Sequence, residues 1–169
     1  MPSIAPSNRS STRVRVRVSK LSGVRSARID TFATAVLTVA TTGEGFFEIT
    51  RDLVQFLDQI KACDGAVLLY LKHTSASLVI QENADADVRT DLVTALNRLA
   101  PAQAGWVHDV EGPDDMPAHI KSMLNGVSLH VPVIDGALAL GTWQGIYVAE
   151  HRSRPHRREV VLQFLGSCH

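Results

Sequence analysis

The sequence predicts one α+β domain, a mainly antiparallel β-sandwich with two flanking helices, and three observations carry that expectation. At 169 residues, 45% hydrophobic and 20% charged, the chain can bury one core but is short for two. Its second half is a run of short apolar segments separated by turn residues, as antiparallel strands require. Two segments of helical period lie early in the chain, inserted among strands. A TIM barrel needs roughly 250 residues and does not fit.

The elements follow in order. Phe32 to Val39 is enriched in β-branched residues and is stopped by Thr41-Thr42-Gly43. Thr50 is placed to cap a helix whose Leu53, Phe56, Leu57 and Ile60 fall at i, i+3, i+4 and i+7, ending before Asp64-Gly65. Ala66 to Lys72 and Ala76 to Ile80 read as strands. The second helix carries Val88, Leu92, Ala95, Leu96 and Leu99 in one stripe, with Asp85 and Asp87 at its positive end and Pro101 beyond it. Gly105 to Ala118 is a loop rich in Gly, Pro and Asp. Asp115 is placed to cap a short helix with Pro117 in its first turn and Gly126 past its end. Val127 to Ile134 and Ala137 to Leu140 flank Asp135-Gly136, a signal for a type I′ hairpin, and Trp143 to Glu150 and Arg158 to Leu165 complete the strands.

The zero net charge conceals an asymmetry. Residues 1–28 hold seven basic side chains and no acid, leaving 10 basic against 17 acidic residues beyond them. A globule of that sign repels nucleic acid, so nucleic-acid binding is not expected. The basic segment has the composition of a transit peptide, but Arg13 to Val18 alternates with period two, so residues 1–31 are expected to be a frayed extension with one edge strand. Residues 32–169 form the domain. No apolar run approaches the roughly 20 residues of a membrane span and no signal-peptide core follows the N-terminus, so a cytoplasmic protein without membrane contact is expected. Cys63 and Cys168 lack the spacing of a disulfide or zinc framework.

Ionisable residues in apolar or loop settings are the candidates for chemistry. His73 continues the inward face of Val67, Leu69 and Leu71, as a structural imidazole or a ligand, whereas His130 points outward with Ser128 and Pro132 and is set aside. His108 and His119 bracket an acidic loop. The positive end of the short helix keeps His119 neutral, the form a metal needs, and Asp109 or Asp115 could orient an imidazole. Glu150 continues the inward face of Ile146 and Val148, where an unpaired carboxylate would cost on the order of several kcal/mol. It therefore has a partner, with a metal, a histidine or Arg152 as candidates, or it is a general acid or base. Arg152, Arg154, Arg157 and Arg158 cluster about Pro155 as a solvated turn or as forks for phosphate. Asn83 and Asp85 sit where capping competes with ligand contact, Lys121 could reach an anion, and Trp143 and Gln144 lie between the glycines of Gly141-Thr142-Trp143-Gln144-Gly145.

His73-Thr74-Ser75-Ala76-Ser77, Glu82-Asn83-Ala84-Asp85, His108-Asp109, the run from Gly112 to Lys121 and Gly141 to Ile146 together resemble the YjbQ family, also labelled secondary thiamine-phosphate synthase, over roughly residues 32 to 165. The resemblance implies a jelly-roll-like sandwich with flanking helices, assembled as a homotrimer. It implies a metal on His73, His108 and His119, where a three-histidine donor set makes zinc the expected divalent ion, and an acid at Glu150. It also implies weak synthase activity, joining a pyrimidine diphosphate to a thiazole phosphate. With the residue readings above added, Glu150 and Asp115 are the expected catalytic carboxylates, and Asn83, Lys121, Trp143, Gln144, Arg157 and Arg158 are expected to bind a small phosphorylated metabolite. Metal-dependent hydrolysis of a phosphorylated or acyl metabolite, with Glu150 as base, is a second reading. A trimeric anion-binding protein without turnover is a third.

Overall fold

The computed structural model describes residues 23–168, so the edge strand expected at Arg13 to Val18 lies outside the described residues. The elements run β1 (Thr31–Thr41), β2 (Gly45–Glu48), α1 (Thr50–Gln59), β3 (Ala62–Leu71), β4 (Ala76–Glu82), α2 (Ala86–Leu99), α3 (Asp115–Asn125), β5 (Ser128–Ile134), β6 (Ala137–Leu138), β7 (Gln144–Glu150) and β8 (His156–Cys168). This is an α+β chain with three helices among the described residues. The third is the short helix after the acidic loop, beyond the two flanking ones.

Every strand pairing is antiparallel. One sheet has the order β1-β8-β3-β5-β6 and the other β2-β7-β4. Period-two alternation turns Val67, Leu69 and Leu71 of β3 and Val160, Leu162 and Phe164 of β8 to one side. There they share a cluster with Leu78, Ile146 and Val148 of the second sheet and with Leu53, Phe56 and Leu57 of α1. Each fully buried side chain of that size contributes roughly 1.5–3 kcal/mol. Asp135 and Gly136 both have positive φ (50° and 78°), and Ile134 pairs with Ala137, the geometry a type I′ turn demands.

Two expected caps are not caps. Ile49 holds the N-cap position of α1, and Thr50 is helical, its Oγ1 accepting the Ile146 amide at 2.9 Å to tie helix to sheet. Asp114 holds the N-cap position of α3, which frees the Asp115 side chain to turn inward. Asp85 does cap α2, accepting the Asp87 amide at 2.8 Å. Strand β2 escapes sequence reading because four residues are too few to show a period, and its pairing with β7 defines it.

A candidate metal centre

Three connections meet at one end of the strands: the loop before α3, the β3–β4 turn and the β7–β8 turn. Asp115 and His119 lie one helical turn apart and so share a face of α3. Asp115 is 2% exposed. Its Oδ2 lies 2.8 Å from His108 Nε2 and 3.5 Å from His119 Nε2. One ligand atom from each of the three residues lies within 4.8 Å of the others. Ligands bonded at about 2.0–2.1 Å around a tetrahedral ion stand roughly 3.3 Å apart, so the spacing and the two-imidazole, one-carboxylate donor set fit a divalent transition metal. On the far side of the His119 ring, Nδ1 donates to the Thr74 carbonyl at 3.0 Å, which leaves the Nε2 lone pair facing Asp115.

Arg152 orients the carboxylate. Its Nη1 donates to Asp115 Oδ1, Nε to Asp114 Oδ2 at 3.3 Å, and Nη2 to the Glu111 carbonyl at 2.8 Å. Asp114 Oδ2 also accepts the Ser153 amide and hydroxyl at 2.8 and 2.9 Å. Burial opposes ionisation of Asp114, but the hydrogen bonds from Ser153 and Arg152 outweigh it and hold the carboxyl down at about 2. The acidic loop is thus strapped to the β7–β8 turn.

The remaining expected site residues sit elsewhere. His73 is not part of the cluster: its Nε2 accepts the Glu159 amide at 3.0 Å, which occupies the lone pair and puts the neutral ring's proton on Nδ1. Burial, and then the Arg158 charge, lower its pKa. Glu150 is 1% exposed, and both oxygens are engaged. Arg158 Nε donates to Oε2 at 2.7 Å and Nη2 to Oε1 at 2.5 Å, with Thr41 Oγ1 at 2.8 Å and the Arg152 amide at 3.0 Å. Burial alone would raise the Glu150 pKa, yet these donors hold the carboxyl below its usual range. That environment suits a fixed ion pair, and it leaves neither oxygen of the expected general acid or base without a partner. Arg158 is correspondingly buried rather than open to phosphate, and Arg157, one residue before it on β8, faces the opposite way to solvent.

Lys121 is also enclosed, donating to Glu44 Oε1 at 2.5 Å and Asn97 Oδ1 at 2.6 Å, so it joins α3, α2 and the β1–β2 turn instead of reaching an anion. Asn83, Trp143 and Gln144 gather at the other end of the second sheet, where Glu82 pairs with Gln144, while Ala76 pairs with Glu150 near the cluster. Six strand steps of about 3.3 Å put roughly 20 Å between those ends within one chain. Trp143 is 65% exposed there.

Sequence reading missed His151. It is 3% exposed, its Nε2 lies 2.8 Å from Ser77 Oγ, and Asn125 Nδ2 donates to the same hydroxyl at 3.2 Å. Burial, and then the Lys121 charge, push its pKa down to about 4. Alternation put Glu150 inward and therefore implied that His151 faces out. Strand β7 is the central strand of its sheet and is buried from Gly145 to Glu150, so both of its faces are covered and polarity alone could not reveal the second.

Comparison with known proteins identifies the fold and its relatives. The family described as UPF0047 protein YjbQ-like matches residues 35–167. The chain belongs to this family. A UPF0047 protein of Synechocystis is 43% identical over 132 residues, covering 78% of this chain and 90% of that one. The YjbQ protein of Salmonella typhimurium is 42% identical, covering 77% and 95%. Among solved structures, an uncharacterised YjbQ/UPF0047 protein of Clostridium acetobutylicum is similar at TM-score 0.72 and 34% identity, covering 77% of this chain and 98% of its own. A conserved hypothetical protein of Thermus thermophilus is similar at TM-score 0.70 and 37% identity, covering 78% and 99%. The family's chemistry is not established, so the site must speak for it. No helix of the described residues is long and apolar enough to cross a membrane.

Proposed function

We propose that this UPF0047 chain is a metal-dependent enzyme acting on a small phosphorylated metabolite, with His108, Asp115 and His119 holding the ion. One observation carries the reading: three ligand atoms converge, and two of the three side chains are oriented from behind, Asp115 by Arg152 and His119 by the Thr74 carbonyl. That is how proteins build metal sites rather than satisfied polar loops. Zinc suits the donor set better than magnesium, which prefers oxygen ligands and its own waters. When bound, the metal supplies Lewis acidity toward a phosphate or carbonyl oxygen.

The chain's own residues do the rest. His108 and His119 give lone pairs, Asp115 gives charge, and Arg152 keeps one carboxylate oxygen turned toward the imidazoles. Asp109, exposed beside His108, and Glu111, 70% exposed and 3.6 Å from Arg152, are the acids of this loop with freedom to exchange a proton with substrate. Either can take the role that the enclosure of Glu150 denies to that residue. The synthase reaction, a pyrimidine diphosphate plus a thiazole phosphate, is the first reaction to assay, and phosphoester hydrolysis the second.

A homotrimer in the cytoplasm remains part of the reading. What supports assembly is uncovered apolar surface: Phe32 at 64%, Tyr70 at 55% and Leu99 at 68% exposure, and a helix α2 with no buried residue. A second copy could also present Asn83, Trp143 and Gln144, which one chain keeps far from its own histidines. The test is metal analysis of the purified chain, followed by product mass after incubation of metal-loaded and chelator-treated protein with the thiamine precursors and with phosphoesters. A stoichiometric metal lost in His108→Ala, and turnover lost with it, is the expected result. Turnover unaffected by metal removal overturns the reading.

A further inference from the structure

The loop His73-Thr74-Ser75 lines, with Tyr70, Leu71, Lys72 and Val127, an open cavity of 560 Å³. Three consecutive residues there carry six donors that find no acceptor among the described residues. His73 Nδ1–H is one, because Nε2 is already taken by the Glu159 amide. The His73, Thr74 and Ser75 amides and the two hydroxyls are the other five: no hydrogen bond leaves any of the three amides, and Ser75 Oγ only accepts, from Arg158 Nη2 at 3.2 Å. The hydroxyls can also accept, whereas the carbonyls of Thr74 and Ser75 and the neighbouring carboxylates are committed. The Thr74 carbonyl is committed to His119, the Glu159 carboxylate beside the rim is paired with Lys72 at 2.6 Å, and the Glu150 carboxylate is paired with Arg158.

A turn with six free donors, lining a cavity and tied from behind by the Arg158 Nη2 contacts to Ser75, has the hydrogen-bonding inventory that a phosphate oxyanion completes. We infer that this turn is the oxyanion subsite, taking the terminal phosphate of a small metabolite on His73, Thr74 and Ser75. This deepens the function proposed above and rests on it for the identity of the metabolite's reactive end. Thr74 joins the two, its carbonyl holding His119 while the residue itself lines the cavity. The subsite replaces the Arg157 and Arg158 forks expected from sequence, one of which faces away while the other is consumed by Glu150.

The experiment uses the full chain stripped of metal, so that its outcome does not depend on the histidine centre. Inorganic phosphate, and in a second arm phenyl phosphate, are titrated against ¹⁵N-labelled protein. The Thr74 and Ser75 amides are expected to shift with both. The aryl ester gains affinity if Tyr70 supplies a face for the organic part, and equal affinities confine the site to the phosphate itself. Thr74→Val, an exposed position whose change leaves the core untouched, is expected to weaken binding at least tenfold. Arg157→Gln is expected to bind as the parent does. Wild-type affinity in Thr74→Val, unmoved Thr74 and Ser75 amides, or no binding by the parent chain overturns the subsite. None of these outcomes bears on metal binding, which a separate zinc titration decides.

Discussion

Asp115 divides its carboxylate between a guanidinium on one oxygen and two imidazoles on the other, and its buried position makes that division rigid. Removing the guanidinium leaves the ligand in place but lets it rotate. Arg152→Gln is therefore expected to weaken zinc or cobalt binding by about 10- to 100-fold, while His108→Ala removes a ligand and costs more. Competition titration with a chelating dye reads both, and an unchanged Arg152→Gln affinity would deny the orienting role. Glu150 makes the opposite case at the same scale. Its oxygens are filled by Arg158, Thr41 and the Arg152 amide, so Glu150→Gln strands a buried guanidinium and is expected to cost about 3 kcal/mol of stability. Urea denaturation measures the loss. Zinc affinity in the folded fraction should stay near that of the parent chain.

At the scale of elements, β8 is the hub, pairing with β1 along one edge and β3 along the other. Where β3 and β8 meet, Gly65 lies opposite Gly166, and a Cβ on Gly65 would meet the backbone of Leu165 and Gly166, the latter at 2.7 Å from its Cα. Backbone cannot step aside as a flexible side chain can. Gly65→Ala is expected to destabilise the chain by about 2 kcal/mol, visible as a lower thermal midpoint. Helix α2 shows how little a well-formed helix needs from its own chain. Its apolar stripe and Asp85 cap were readable, yet no residue of it is fully buried: Val88, Leu92 and Leu96 are half-covered, Arg89 lies over the Tyr147 ring, and Leu99 stays exposed. The caps of α1 and α3 were misplaced by one residue for a common reason. A Thr or an Asp near a helix start satisfies the capping rule equally well when its side chain is in fact committed to a strand amide or a buried arginine.

At the scale of the whole molecule, the buried polar residues tie stability to pH. His151 titrates near 4 in the folded chain and near 6.5 when unfolded, so the unfolded chain binds the extra proton in between. Its contribution is fully present above about pH 6.5 and is lost as pH falls toward 4, amounting to about 3 kcal/mol. Stability measured by urea across that window should decline with acid and decline less in His151→Gln. Sedimentation of the full chain tests assembly on the same scale: a monomer at micromolar concentration would leave the exposed apolar surface unexplained and remove the homotrimer. The inward faces of β3 and β7, the two apolar helix stripes and the Asp135-Gly136 turn were legible because they depend on neighbours two to four residues apart.

Local periodicity and turn chemistry thus determined the α+β class, most element positions, and the residue types with which any chemistry must be done. The ordered motifs determined the family. Only the tertiary structure decided that His108 and His119 meet over Asp115 while His73 turns away to a strand amide, and that Glu150 is spent on Arg158. It also decided that His151 is enclosed. Those choices depend on contacts between residues tens of positions apart, where hydrogen-bond partners compete for the same donor or acceptor, and pattern along the chain carries no record of which partner wins.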